Sequence, residues 1–423
     1  MSRLHLNFQR AVVLVMAILP FLCSTSLSGQ APSLSNLEKL GKAIFFDQNL
    51  SIQKNQSCAA CHAPEAGWTG PVELVNSHGS VYEGSIFGRF GDRKPPSSAY
   101  ATQSPILSVD KHGLWIGGNV WDGRATGEKL GNPAADQAQG PFLNPAEQAL
   151  PDSTCVVYRV CDGAYPVSFE SVMGSGACAI AWPENIETAC QNEGATVDLA
   201  PSERAKSNFA YDEIALAIAA YEASPEVNAF SSKFDHARKG KARLNVDERK
   251  GFALFQGKGK CAKCHISTGQ NALFTDYTFD NLGVPKNPEN PVYDRIPEFL
   301  DLGSGGFLEH KGFLEDIYEP ELGKVKVPTL RNIDKRPYPG FVKAFGHNGY
   351  FKSLEEIVHF YNTRDVLPTC AHGSPGERVT CWPAPEYPWN VNTDELGDLG
   401  LSPAEEAAIV EFLKTLSDGY TPD

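Results

Sequence analysis

The chain has 423 residues, with 51 Asp and Glu against 37 Lys and Arg, for a formal charge of −14. That length supports two or three domains with substantial cores, and an acidic balance argues against a nucleic-acid partner and favours basic protein partners. Eleven cysteines and ten histidines, against three methionines, make metal or redox chemistry the first class to test.

In chain order, the first segment is a leader. Arg3 and Arg10 precede an apolar run from Ala11 to Leu22, too short to span a bilayer and the right length for a signal-peptide core. Small residues follow, placing cleavage near Gln30, so residues 1–29 are expected to be a signal peptide and the mature chain periplasmic, with no membrane span. Cys23 suits a lipoprotein site poorly, because the preceding Leu22 is bulky. Removing the two leader arginines makes the mature charge −16.

Leu37–Phe46 carries apolar residues at helical spacing, and the sequence Cys58-Ala59-Ala60-Cys61-His62 follows. The same order recurs at Glu248–Phe255 and Cys261-Ala262-Lys263-Cys264-His265. Cys-x-x-Cys-His is the attachment pattern of a c-type haem: two thiols form thioethers with the vinyl groups, and the histidine becomes the proximal iron ligand. A redox dithiol or zinc knuckle leaves the histidine after each pair unexplained. Two covalently bound haem c groups are therefore expected, held at Cys58, Cys61, Cys261 and Cys264, with His62 and His265 on the irons. Setting aside these four cysteines and Cys23 leaves Cys155, Cys161, Cys178, Cys190, Cys370 and Cys381, an even set that suits up to three disulfides in an oxidising compartment.

Residues 151–200, with four cysteines and little periodicity, read as a disulfide-rich loop insertion. Further helices are expected at Glu213–Glu222, Leu354–Tyr361 and Pro403–Leu416, the last with Ser402 and Glu405 as a cap. The fold class is mainly α: two cytochrome c-like haem domains packed around an interface, over 30–235 and 236–423, joined near 225–245, with the insertion in the first.

Several motifs then point one way. Leu40-Gly41-Lys42-Ala43-Ile44-Phe45-Phe46, the two haem sites, Trp121-Asp122-Gly123-Arg124, Gln137-x-x-Gly140-Pro141 followed by Glu147, Val327-Pro328-Thr329-Leu330-Arg331-Asn332, and His347-Asn348-Gly349 leading to Tyr361 occur in order. Together they resemble the bacterial dihaem cytochrome c peroxidase and MauG family, closer to its MauG-like, tyrosine-ligated branch, from about Leu37 to Leu416. The resemblance implies one haem that meets hydrogen peroxide and a second, six-coordinate haem that passes electrons. It assigns Glu147 and Gln137 as the distal carboxylate and amide, and Trp121 as the aromatic between the haems. Arg124 is assigned as a candidate propionate partner. Taken alone, Glu147 reads as an ordinary exposed glutamate and Trp121 as a core tryptophan.

The second haem needs a sixth ligand. Met1 and Met16 lie in the leader and Met173 in the insertion. Tyr361 stands where the MauG-like branch places a tyrosine, and His359, about 200° round the helix from it, is the alternative. His78 lies 16 residues after His62, a spacing similar to the loop histidine that blocks the peroxide haem in resting family members. Its Asn76-Ser77-His78-Gly79 setting better suits a surface histidine. His112 is a weaker candidate. The family's calcium ion is in doubt, because Lys94 replaces the expected asparagine and leaves only backbone oxygens such as those of Val327 and Thr329; an ammonium can stand in for the ion electrostatically. The implied activity is a dihaem peroxidase that oxidises an electron-donor protein or a protein side chain. The alternatives are a cytochrome c peroxidase using cytochrome c as donor, or a non-catalytic dihaem electron-transfer cytochrome.

Overall fold

The computed structural model describes residues 33–422; the expected signal peptide lies outside the described residues. Helices dominate, and the strands are two antiparallel pairs, Ser108–Val109 with Trp115–Ile116 and Phe279–Asp280 with Val325–Lys326. No described helix is long and apolar enough to cross a membrane.

Two hydrophobic cores organise the chain, one drawn from residues between Leu40 and Val227, the other from Phe234 to Leu416. They repeat one construction. In the first, Asn36–Phe45 opens on a Ser35/Glu38 capping box, buries Leu40, Ile44 and Phe45, and crosses the long helix Pro201–Ala223. In the second, Val246–Gln256 opens on an Asn245/Glu248 box and crosses Pro403–Lys414. Each crossing is closed by a glycine. A Cβ at Gly41 would stand 1.8 Å from the Ala217 carbonyl oxygen, and one at Gly251 would stand 1.8 Å from that of Ala408. The duplicated sequence pattern is thus a duplicated helix pair, with a haem motif after the first helix of each.

Residues 151–200 depart from the expected loop. Three helices, Ser153–Asp162, Pro166–Met173 and Ile186–Cys190, form there. The disulfides Cys155–Cys190 and Cys161–Cys178 staple them, and Cys370–Cys381 closes a turn in the second half. The first of these helices belongs to the core: Cys155, Val156, Val157 and Val160 are wholly buried. Buried Arg159 donates to the carbonyls of Asn49 and Ser51. This packing also explains why the next helix begins at Pro201, twelve residues before the apolar pattern at Glu213. Its polar first turns hold the insertion through Arg204 to Asp152 at 2.6 Å and Ser207 to Thr154 at 3.0 Å.

Arg331 fastens the seam between the cores. Its guanidinium binds Asp235 through two bonds of 2.8 and 2.9 Å, with both side chains fully buried. It lies against Phe230, Tyr100 and Phe274, and the Tyr100 hydroxyl donates to Asp418 at 2.7 Å.

The glycine crossings give a direct test. Gly251→Ala, and separately Gly41→Ala, force backbones in contact to separate, and each is expected to cost about 1–3 kcal/mol. Thermal denaturation of the haem-loaded protein should show a lower midpoint for both; an unchanged midpoint would mean the helix pairs are not closed at these residues.

Candidate functional site

The two Cys-x-x-Cys-His sequences adopt the same local form. Cys58–Ala60 and Cys261–Lys263 are single 3₁₀ turns, and the amides of His62 and His265 bond back to the Cys58 and Cys261 carbonyls at 3.0 and 2.9 Å. All four cysteines are free, unlike the six in disulfides. The His62 Nδ1 lies 3.3 Å from the Trp68 carbonyl and the His265 Nδ1 lies 2.8 Å from that of Phe274. An Nδ1–H held by a carbonyl leaves Nε2 as the lone-pair nitrogen. Burial lowers both imidazoles, His62 to about 4, so each is neutral, the form that ligates metal. The donor set therefore fits two haems.

Both motifs open onto one cavity of about 700 Å³. Its walls also carry Gln137, Glu147, Trp121, Arg124 and Tyr361, while His78, His112 and the alternative ligand His359 lie outside it. Gln137 lies on Pro133–Leu143, which is capped by Asn132 and contains Pro141. A proline at 141 cannot donate to the carbonyl four residues back, which frees that of Gln137 and puts both residues on one helix face. After the helix ends, the Asn144 side chain donates to Glu147 at 2.9 Å. Burial raises the Glu147 carboxyl, and its bond to Asn144 offsets this only in part. A carboxyl that keeps its proton to higher pH beside an amide is suited to proton delivery.

The Trp121 indole donates to the Lys94 carbonyl at 2.7 Å, fixing the ring in the cavity wall. Arg124 binds Asp122, which also holds Arg93, and Arg93 in turn binds Asp301 in two bonds of 2.7 and 2.6 Å. His347 extends this ladder, 3.7 Å from Asp301. Arg124 is thus already paired to a carboxylate while lining the cavity.

Tyr361 and His359 separate as their helical spacing requires. Tyr361 faces the cavity, its hydroxyl raised by burial and then by the neighbouring thiols and Asp280. His359 lies outside the cavity wall, with Nδ1 3.1 Å from Glu406 and Nε2 3.0 Å from the Val379 carbonyl, so both ring nitrogens are engaged away from it. Met173 packs on the first core, away from the cavity.

One expectation needs correction. His78 is exposed, outside the cavity, with Nδ1 2.9 Å from the Leu74 carbonyl. Its segment is pinned by Asn287 and Lys352, which donate to the His78 carbonyl, so the side chain is held outward rather than over His62. His112 is likewise exposed, at a hairpin tip. The sequence's doubt over calcium finds support at two of the residues named for it. Buried Lys94 donates its ammonium to Thr69 Oγ1 and the Pro95 carbonyl, both at 3.0 Å, and the Val327 carbonyl is taken by the Thr275 hydroxyl at 2.6 Å. Among the described residues, the one cluster of three metal-ligating side chains, Cys264, Asp280 and Glu395, stands instead at the second haem motif.

Sequence reading missed three features of the cavity wall: half-buried Lys326 and buried Lys343, whose ammoniums are held by carbonyl oxygens, and Glu222. Only Glu222 left a sequence signal, as an acid at the end of an otherwise apolar helical stretch.

Comparison with known proteins gives the family. Residues 35–243 match the family model described as di-haem cytochrome c peroxidase. The methylamine utilization protein MauG of Paracoccus denitrificans is 32% identical over 92% of this chain and 90% of its own. The cytochrome-c peroxidase IdrP1 of Denitromonas iodatirespirans is 25% identical over 91% and 82%. The crystal structure of the diheme peroxidase BthA from Burkholderia thailandensis superposes with a TM-score of 0.71 at 26% identity, covering 92% of this chain and 87% of that one.

Glu222 predicts a pH dependence. Burial pushes its carboxyl up to about 8 from an ordinary 4.5, with Ser98 pulling the other way. The fold holds this proton to higher pH than the unfolded chain does. Its stabilising contribution is therefore full below about 4.5 and is lost as pH rises through about 8. Relative to the parent, Glu222→Gln should gain stability across that window, by at most about 1.4 kcal/mol per pH unit, and level off above it. Denaturation midpoints measured from acid to pH 9 check this; parallel curves would remove Glu222 as the source.

Proposed function

Because this chain belongs to the dihaem cytochrome c peroxidase family, we propose that it carries two covalent haems, at Cys58/Cys61/His62 and Cys261/Cys264/His265, and uses hydrogen peroxide to oxidise a partner protein in the MauG-like manner. The observation that carries this reading is the single cavity lined by both haem motifs together with Gln137, Glu147, Trp121 and Tyr361. Each haem is assigned to one core, giving domains of 30–235 and 236–423, and the leader is assigned to export.

Bound haem supplies the iron at which the peroxide bond is cleaved and a second centre that exchanges electrons with it. The residues of the chain do the rest. His62 and His265, oriented by the Trp68 and Phe274 carbonyls, fix the proximal faces. Glu147 holds a proton at its carboxyl and delivers it to the leaving oxygen, while the Gln137 amide orients the peroxide. Trp121, locked by Lys94, keeps a polarizable ring in the wall of the space that both sites share. Arg124, held in place by Asp122, provides a cationic edge for a propionate.

On the second haem, Tyr361 is assigned as the sixth ligand, supported by its place in the cavity, the two occupied nitrogens of His359 and the remote Met173. Burial holds Tyr361 as a neutral phenol in the protein alone, so it becomes a phenolate ligand only beside a strong positive charge. An anionic oxygen ligand favours the ferric state. The outward His78 supports a peroxide site that needs no prior opening, as in the MauG-like branch, over a loop-gated cytochrome c peroxidase. The distal carboxyl argues against a simple electron carrier.

Three outcomes test the reading. Adding peroxide to the all-ferric protein should change the spectrum of both haems without prior reduction; a reaction that requires one-electron reduction first and then turns over reduced cytochrome c would replace the MauG-like reading with the cytochrome c peroxidase one. Glu147→Gln should bind haem normally yet react with peroxide about 10²–10⁴-fold more slowly, and parent-like stopped-flow rates would leave Glu147 structural. Tyr361→Phe should raise the potential of one haem and alter its low-spin spectrum, whereas His359→Ala should leave both as they are.

A further inference from the structure

Outside the cavity, one surface joins both halves of the chain and presents large apolar side chains to solvent. The hairpin from Ser108 to Ile116 exposes Val109 and Leu114, and the segment after Gly312 exposes Phe313, Leu314 and Ile317. Val109 pairs directly across the hairpin with Trp115, and the Trp115 ring meets Phe313 edge-on at 5.5 Å. The two segments therefore form one patch rather than scattered exposures.

The patch abuts the cavity wall. The Gly117 amide, at the base of the hairpin, donates to the Tyr277 carbonyl at 3.0 Å. Tyr277 and Lys326 line the cavity, and the Lys326 ammonium binds Ser104 Oγ and the Gly117 and Gly118 carbonyls while lying 5.4 Å from the Tyr277 ring centre. The base of the hairpin is thus bonded directly to a residue that lines the shared cavity.

Charge selects the occupant. Exposed Glu309, Glu315, Asp316 and Glu319 flank the apolar residues on one side, against Lys311 alone in that stretch, and the whole chain carries −14. An apolar centre with an acidic rim fits a small redox protein whose apolar contact face is ringed by lysines.

We propose that the Val109–Leu114 hairpin and the Phe313–Ile317 segment form the docking surface through which a basic electron-donor protein delivers electrons to the cavity. The proposal rests on the peroxidase reading for its consequence but not for its geometry. In turnover, two docking events each supply one electron, and with two protons these reduce one hydrogen peroxide to two waters. The donor is oxidised by one electron each time.

The test uses the haem-loaded protein and basic mitochondrial cytochrome c as the probe, with affinity measured by titration calorimetry at low and at physiological ionic strength. The parent should bind at low salt and weaken as salt rises. Leu314→Ser with Ile317→Ser, and Glu315→Lys with Asp316→Lys, should each weaken binding at least tenfold. Glu355→Lys, a control on the Leu354–Thr363 helix, should leave it unchanged. The substituted side chains are exposed, and an unaltered haem spectrum confirms the fold. Absence of binding by the parent at low salt, or parent-like affinity in both patch variants, overturns the docking surface. Peroxide consumption with a small-molecule donor is measured alongside. Patch-dependent binding without peroxide consumption upholds the surface and defeats the peroxidase reading; peroxide consumption with patch-independent binding does the reverse.

Discussion

Everything around the cavity depends on a buried ion pair that carries no redox chemistry, Arg331 with Asp235. Removing two charges from water costs several kcal/mol each, and the attraction between them offsets this only where geometry and further hydrogen bonds are complete. Here they are complete. Asp235 also accepts from the Ser232 amide and hydroxyl, Arg331 Nε donates to the Ala272 carbonyl, and the guanidinium faces lie against aromatic rings. Such a pair tolerates one arrangement only. It fixes the start of the second core at Asp235, the loop carrying Arg331 and, through Tyr100 and Asp418, the first half of the chain. A protein that must enclose a large cavity needs rigid seams of this kind, because the space at its centre contributes no packing of its own.

The cavity is polar in an unusual way. Lys94, Lys326 and Lys343 line it with their ammoniums on carbonyl and hydroxyl oxygens rather than on carboxylates, and burial lowers all three, Lys94 to about 8 and Lys326 to about 7. Lowered in this way, the three amines hold their protons less firmly than exposed lysines do, so the charge along this wall follows pH.

The parts of this architecture legible in the sequence were those specified by local chemistry. Cys58–His62 and Cys261–His265 announce themselves, and the helices at Asn36–Phe45, Val246–Gln256, Leu354–Thr363 and Pro403–Lys414 follow from apolar spacing and caps. What escaped depends on partners distant in sequence. The insertion hid its helices because Cys155, Val156, Val157 and Val160 make a short apolar run without a long amphipathic period, and their partners lie on Pro201–Ala223. His78 looked like a ligand by spacing alone, while the contacts that turn it outward come from Asn287 and Lys352, more than two hundred residues away. The buried lysines have no local signature, since a lysine beside prolines reads as surface until the Thr69 and Pro95 oxygens are found around it.

The disulfides have a consequence for how such a chain matures. Cys161–Cys178 is nested inside Cys155–Cys190, and Cys370–Cys381 spans eleven residues, so each structural cysteine finds its partner within 35 positions along the chain. Among the described residues, no bridge links the two cores or encloses a haem motif. Loop closure favours the shorter span, though only by a logarithm of length, so local pairing leads and the helices of the insertion then lock it in. The four cysteines of the two Cys-x-x-Cys-His motifs take no part in these bridges, so mispairing within the insertion need not reach the motifs.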